Sequence, residues 1–387
     1  MDYIPYGRQD ITKADIDQVV SVLKSDFLTQ GPMVPRFEGA VAEYCDAKHA
    51  VAVNSATSAL HIACLALGLG KDDWLWTTPV TFVASANCGL YCRANVDFVD
   101  IDPKTYNLCP EALSEKLRKA EVSGSLPKVV VAVHLAGQPC EMDALHRLSQ
   151  EYGFSIIEDA SHAIGGKYKG ESIGNCRYSD ITIFSFHPVK IITTAEGGMA
   201  LTNNGELASK MKLLRSHGIT RDTKLMTHDS EGAWYYQQVD LGFNYRMTDL
   251  QAALGVSQME RLDSYVAQRH NIAERYDDLL SDMPLTLPFR HPDSYSGLHL
   301  YIVRIKLELI SSSHKDIFDQ LRERKIGVNL HYIPIYRQPY YETMGFSKSD
   351  FPASEAYYSE AISIPMFATY SDEQQDSVCT ALRDVLS

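Results

Sequence analysis

The sequence predicts an α/β chain: a large domain with a mainly parallel central sheet, followed by a smaller α+β domain. Three observations carry this expectation. Short apolar runs alternate with helical stretches through the first 250 residues, which is the pattern of a parallel sheet covered by helices on both faces. Beyond residue 250 the alternation stops. The length of 387 residues exceeds what one core of ordinary size accommodates. We therefore expect domains at 1–250 and 251–387.

The elements follow in order. Thr12 and Asp15 read as a capping box, and Ile16, Val19, Val20 and Leu23 form one apolar stripe of a first helix. Residues 28–32 (LTQGP) break the chain before a second helix near 37–44. Residues 50–53 read as a strand and about 56–67 as a helix, with Gly68 and Gly70 as its stop signal. Further strands are expected at 75–77, 97–99, 128–134, 155–158 and 181–186, with helices near 83–91, 110–119 and 142–152. A long helix from Thr248 beyond Leu262 should bridge to the smaller domain. That domain opens with an alternating strand at 300–307, continues through a helix capped by Ser313 and Asp316, and ends in an amphipathic helix from Asp372.

Composition excludes several classes. A net charge of −13 argues against a nucleic-acid surface, although a local pocket can still be positive. No stretch is long enough to span a bilayer, so no membrane partner is expected. The first residues, MDYIP, lack a basic start followed by an apolar run, and a cytoplasmic location is expected. Eight scattered cysteines without paired CxxC units point to free thiols and no metal site.

Four segments carry the candidate chemistry. Lys190 follows a strand in FSFHPVK (184–190) and precedes the glycine pair 197–198. A lysine there is ordinarily solvated; the alternative is an amine with a lowered pKa that attacks a carbonyl. Asp159, at the end of a buried strand in EDASHA (158–163), fits either a helix N-cap or a carboxylate that holds a pyridine nitrogen protonated. His162 follows within the same segment. At 54–60, NSATSAL places small residues at a strand-to-helix junction, where free N–H groups suit a phosphate. Phe82, in TPVTFVAS (78–85), could be a core residue or a platform for an aromatic ring.

The order of these segments, with EGG at 196–198 and GFNYRMTD at 242–249, resembles the DegT/DnrJ/EryC1/StrS family of nucleotide-sugar aminotransferases along nearly the whole chain. The resemblance implies fold-type I and pyridoxal 5'-phosphate as cofactor. It implies that Lys190 carries the cofactor, that Asp159 contacts its ring nitrogen, that Phe82 stacks on the ring and that His162 sits beside the ring oxygen. Ala56, Thr57 and Ser185 would bind the phosphate, with Asn244 reaching it from a neighbouring subunit, so that a homodimer would share its active sites. Stretches such as IPYGRQ (4–9), KSDFLTQGP (24–32), HLAGQP (134–139) and HYIPI (331–335) resemble the branch that aminates a UDP-linked 4-keto-6-deoxy-N-acetylhexosamine, with L-glutamate as donor, in pseudaminic acid biosynthesis. Tyr6, Arg8, Thr29, Gln30 and His331 are the implied substrate contacts. Branches of the family that dehydrate sugars replace the lysine by histidine; here Lys190 is present, which favours transamination. Ala195 stands where the family pattern has glycine. Rival readings are another nucleotide-linked keto sugar, a regulator that binds the cofactor without turnover, and a nucleotide-binding oxidoreductase. The last lacks a GxGxxG after the early strands.

Overall fold

The computed structural model describes residues 2–387. Its centre is a seven-stranded sheet built from β1 (His49–Val53), β2 (Trp74–Thr77), β3 (Asn95–Phe98), β4 (Val129–Val133), β5 (Ser155–Asp159), β6 (Ile181–Ser185) and β7 (Gly198–Thr202), in the order β1-β7-β6-β5-β4-β2-β3. The run β3-β2-β4-β5-β6 is parallel. β7, which the sequence reading did not anticipate, runs antiparallel to both β6 and β1. The fold class is as expected.

Burial of both faces explains why these strands read as unbroken apolar runs. Along β4, Val130 and Ala132 enter one core, whereas Val129, Val131 and Val133 enter another on the opposite face. The second core also takes in α3 (Ala56–Ala66) and α4 (Ala84–Tyr91), and the first takes in α2 (Met33–Cys45) and α5 (Pro110–Ser123). A third core combines Ile4 with residues after 270, around a three-stranded sheet of 285–286, 301–305 and 361–364.

One helical expectation is met with an unexpected orientation, and one needs correction. The capping box of the first helix is present: Asp15 accepts from the Thr12 amide at 2.7 Å. The stripe, however, does not face the core. Ile16 and Leu23 are 54% and 56% exposed, and Phe27 and Leu28 beside them are also exposed. The buried residues of this helix are Val22 and Asp15, and Asp15 is held by Arg261 through contacts of 2.8 and 2.7 Å. The expected long helix from Thr248 is two helices, Asp249–Met259 and Leu262–Leu280, separated where Arg261 leaves helical geometry. In the second of these, Leu262, Tyr265 and Val266 pack into the first core, while Ile272, Tyr276 and Leu280 pack into the third.

Candidate active site

The carboxyl ends of the central strands meet at a cavity of about 720 Å³, the position where ligands gather in open α/β sheets. Each strand delivers its last residue or the turn beyond it. β5 ends on Asp159, β6 on Ser185, and the turn after β1 carries Asn54 and Ser55 into α3. Lys190, Asp159, Phe82, His162, Ser185, Ala56, Thr57, Tyr6 and His331 all line this cavity.

The end of the cavity nearest α3 is built by a helix start. Ser55 is the N-cap of α3 and accepts from the Ser58 amide at 3.1 Å, while Ser58 donates to the Asn54 side chain at 2.7 Å. Gly198, at the start of β7, lies so close that a Cβ there would meet the Ala56 nitrogen at 2.5 Å. This packing fixes the turn, and the unpaired amides of the first helical turn are suited to an anion.

Asp159 is locked by hydroxyls. Ser85 donates to its Oδ2 at 2.7 Å, and Ser161 donates to Oδ1 at 2.6 Å through its hydroxyl and at 3.2 Å through its amide. Thr81 lies behind Ser85, with their hydroxyls 2.9 Å apart. Both carboxylate oxygens therefore have fixed donors, and the group cannot rotate freely.

Lys190 shares this cavity. Burial pushes its amine down to about 8, against a smaller upward effect of the Asp159 charge. Around it stand imidazoles held neutral by burial. His331 is pushed down to about 3, with the Lys190 charge adding to the effect. His162 also lies well below its ordinary value, for burial first and then for the charges of Lys190 and His331. The hydrogen bonds agree. His162 Nδ1 accepts from the Ala136 amide at 3.2 Å, which leaves Nε2 to face the Tyr332 hydroxyl, also at 3.2 Å.

Four candidate residues are not brought to the cavity by this chain alone. Arg8 is exposed. Thr29 pairs with Thr248, and Gln30 adopts φ 55° in a turn tied down by Asp249, which accepts from the amides of Gly31 and Met33 at 2.7 Å each. Asn244 is exposed and pairs with Ser216. Conversely, Tyr332, His299 and Asn329 line the cavity without having been assigned a role, as does Glu196, noted only as part of EGG at 196–198. Tyr332 directly follows His331 in HYIPI and was within reach of the sequence; His299 and Asn329 carry no local signal. Ala195 adopts φ 66°, the left-handed conformation that explains why glycine suits this position.

The residues present fit pyridoxal phosphate. A helix start with unpaired amides, a buried carboxylate, an exposed aromatic ring at Phe82 and a lysine with a depressed pKa converge on one cavity. The family model described as the DegT/DnrJ/EryC1/StrS aminotransferase family matches residues 9–383. The chain is 38% identical over 387 residues to the spore coat polysaccharide biosynthesis protein SpsC of Bacillus subtilis, covering 99% of this chain and 97% of that protein. It is 38% identical over 363 residues to the UDP-4-amino-4,6-dideoxy-N-acetyl-beta-L-altrosamine transaminase of Campylobacter jejuni (strain 81-176), covering 94% and 92%. Among solved structures, Helicobacter pylori PseC, an aminotransferase involved in the biosynthesis of pseudoaminic acid, superposes with a TM-score of 0.90 at 30% identity, covering 100% of this chain and 99% of that one.

Proposed function

The chain belongs to the DegT/DnrJ/EryC1/StrS aminotransferase family, and from that premise we propose that it moves an amino group from L-glutamate to the 4-keto carbon of a UDP-linked 6-deoxy-N-acetylhexosamine. Aminotransferases of this family depend on pyridoxal phosphate. The observation that carries the reading is the meeting of Lys190 and Asp159 on one cavity, with the lysine amine pushed down to about 8. The narrow substrate rests on the similarity to the Campylobacter jejuni transaminase and to PseC.

When bound, the cofactor supplies an aldehyde that accepts the amino group and a ring that withdraws electrons. Lys190 would hold that aldehyde. Its freed amine would then take the proton from the α-carbon of the donor and, in the second half, return one to the sugar carbon that receives nitrogen. An amine near 8 has an appreciable neutral fraction at neutral pH, as a base requires. Asp159, oriented by Ser85 and Ser161, would hold the ring nitrogen's proton. Ala56, Thr57 and Ser185 would bind the phosphate, Phe82 would cover the ring face and His162 would sit beside the ring oxygen. Tyr6 and His331, whose rings lie 5.3 Å apart, would meet the sugar nucleotide.

A homodimer with shared sites completes the proposal. Asn244 would reach the partner's phosphate site, and Arg8, Thr29 and Gln30 would join Tyr6 and His331 as contacts of the sugar nucleotide. The exposed stripe of Ile16 and Leu23 with Phe27 and Leu28 supports an interface, since a contiguous apolar surface favours burial. We also propose two domains, 1–250 and 251–387, the second carrying the third core from Ile272 onward while residues 252–266 pack on the first core, and action in the cytoplasm; among the described residues no helix is long and apolar enough to cross a membrane.

A second reading, amination of a different nucleotide-linked keto sugar, is favoured by the equal identity to SpsC over more of the chain. Supplying glutamate with UDP-linked 4-keto-6-deoxy-N-acetylhexosamines of both configurations at carbon 5 separates the two. Product from the L-altro precursor series is expected. Product only from another nucleotide-linked keto sugar would replace the narrow reading, and no amination of any keto sugar would remove both.

A further inference from the structure

Arg269 is buried, 1% exposed, and has no carboxylate partner among the described residues. Its Nη1 instead donates toward three carbonyl oxygens, those of Leu298 at 3.2 Å, His299 at 3.1 Å and Met366 at 3.3 Å, and its Nε has no partner. A buried cation without a counter-charge is among the most costly groups a core can hold, and packing alone does not call for one.

Two of the three carbonyls it holds, those of Leu298 and His299, belong to a strained segment at the cavity. Leu298 has φ 47°, a left-handed conformation that a leucine rarely adopts. The next residue, His299, is 3% exposed, and its ring lies 4.5 Å from the ring of His162, centroid to centroid. His299 Nδ1 is buried without a partner, so no hydrogen bond from that atom sets the ring. On its other side, His162 is held by the amide of Ala136, again a non-glycine residue with positive φ, at 58°. The two strained turns are tied together: Gly297 donates to the Gly137 carbonyl at 3.0 Å, and a Cβ at Gly137 would meet the Leu298 nitrogen at 2.7 Å. Strain of this kind persists where the surroundings over-determine it, and it concentrates at functional sites.

We infer that Arg269 and His299 are positioning residues: the guanidinium clamps the 298–299 carbonyls, and the clamped His299 ring packs against His162 and sets its orientation at the cofactor end of the cavity. Two consequences distinguish this from a plain structural staple. The ring at 299 matters for its shape and not for its nitrogens, and the effect falls on the chemistry and on cofactor binding more than on sugar binding. The inference rests on the aminotransferase reading for its effect on turnover, but not for its effect on cofactor affinity.

The test compares His299→Ala, His299→Phe, Arg269→Met and Arg269→Lys. Pyridoxal phosphate binding to the cofactor-free protein is measured by fluorescence titration, melting of the cofactor-free protein by calorimetry, and kcat and KM with the keto sugar. For His299→Ala we expect kcat to fall about 10²-fold, the loss that a misplacement of about 1 Å causes. KM for the sugar should stay within about twofold, and cofactor affinity should weaken about tenfold. His299→Phe should restore most of both, and Arg269→Lys should recover part of what Arg269→Met loses. Unchanged kcat and cofactor affinity in His299→Ala would overturn the inference. So would a loss in His299→Phe as large as in His299→Ala, or losses that track a lowered melting temperature alone. Should Arg269→Met fail to fold, the two His299 variants still decide. A wild-type protein that aminates no sugar would remove the functional reading, while the titrations would still test the positioning.

Discussion

At the scale of single residues, the site depends on groups whose chemistry is set by burial. Lys190→Ala should abolish amine transfer and the visible band that depends on the bond between the lysine and the cofactor aldehyde, since loss of proton transfer alone costs about 10²–10⁴-fold; normal turnover by that variant would remove the assignment. The depressed lysine also has a signature in stability. Its folded pKa, about 8, lies below the unfolded value near 10.5, so the unfolded chain binds more protons between those limits and stability rises with pH across that window. Cofactor-free Lys190→Met should accordingly be more stable than the wild type at pH 7 by about 1–3 kcal/mol, with the gap closing toward pH 10.5. Denaturant titrations at pH 7, 9 and 10.5 check this, and a gap independent of pH would refute it. Ser85→Ala removes the donor 2.7 Å from Asp159 Oδ2. A hydrogen bond to a charged group is worth about 1.5–3 kcal/mol, so kcat should fall by roughly 10–100-fold if that bond matters mainly in the reacting complex. Motif residues were legible because each needs a specific side-chain chemistry in a specific order. Ser85 and Ser161 lay inside quoted motifs, yet their role was not, because serine beside a carboxylate has meaning only once the two are within 3 Å.

At the scale of elements, the start of α3 is the piece most exposed to a test. Gly198→Ala would press a methyl group against the Ala56 nitrogen, 2.5 Å away, and displace the turn that would hold the phosphate. Cofactor affinity should weaken about tenfold or more, with a smaller loss of melting temperature. Ser55→Ala, which removes only the cap, should cost about 1 kcal/mol of stability. Equal cofactor binding by Gly198→Ala and the wild type would argue against a phosphate site there. Strand β1, helices α3 to α5 and the helix Met142–Tyr152 were legible from periodicity and turn residues. Strand β7 was not, because GMALT (198–202) is a short apolar run that periodicity cannot distinguish from other structure. The break at Met259–Leu262 was also invisible, since no glycine or proline marks it. It falls at Arg261, whose side chain reaches Asp15 across 246 residues of chain.

At the scale of the whole molecule, the single chain leaves an apolar stripe uncovered and Asn244 exposed, outside the lining of its own cavity. A shared site makes a quantitative prediction. Lys190→Ala and Asn244→Ala, each inactive or nearly so as homodimers, should regain activity when mixed under conditions that exchange subunits. A statistical mixture in which half the molecules are heterodimers with one intact site recovers about a quarter of wild-type activity. Absence of any recovery, with exchange confirmed by mass, would place Asn244 outside the partner's site. Ile16→Asp with Leu23→Asp should shift the protein toward monomer in analytical ultracentrifugation and lower activity with it.

The sequence by itself determined the fold class, the family and the cofactor, because each is written in local patterns: alternation of strand and helix, and an ordered set of side chains whose chemistry is specific. Lys190, Asp159, Phe82 and His162 were named from those patterns, and the tertiary structure brings them to one cavity. Only the tertiary structure decided the surroundings of Lys190: a burial that pushes its amine to about 8, and a ring of imidazoles beside it. It also decided that the stripe of the first helix, Lys13–Leu23, faces outward, and that an arginine 30 residues from His299 in sequence holds that histidine's carbonyl. Burial, stacking and long-range hydrogen bonds arise between segments distant in sequence, and no local pattern encodes which of them will meet.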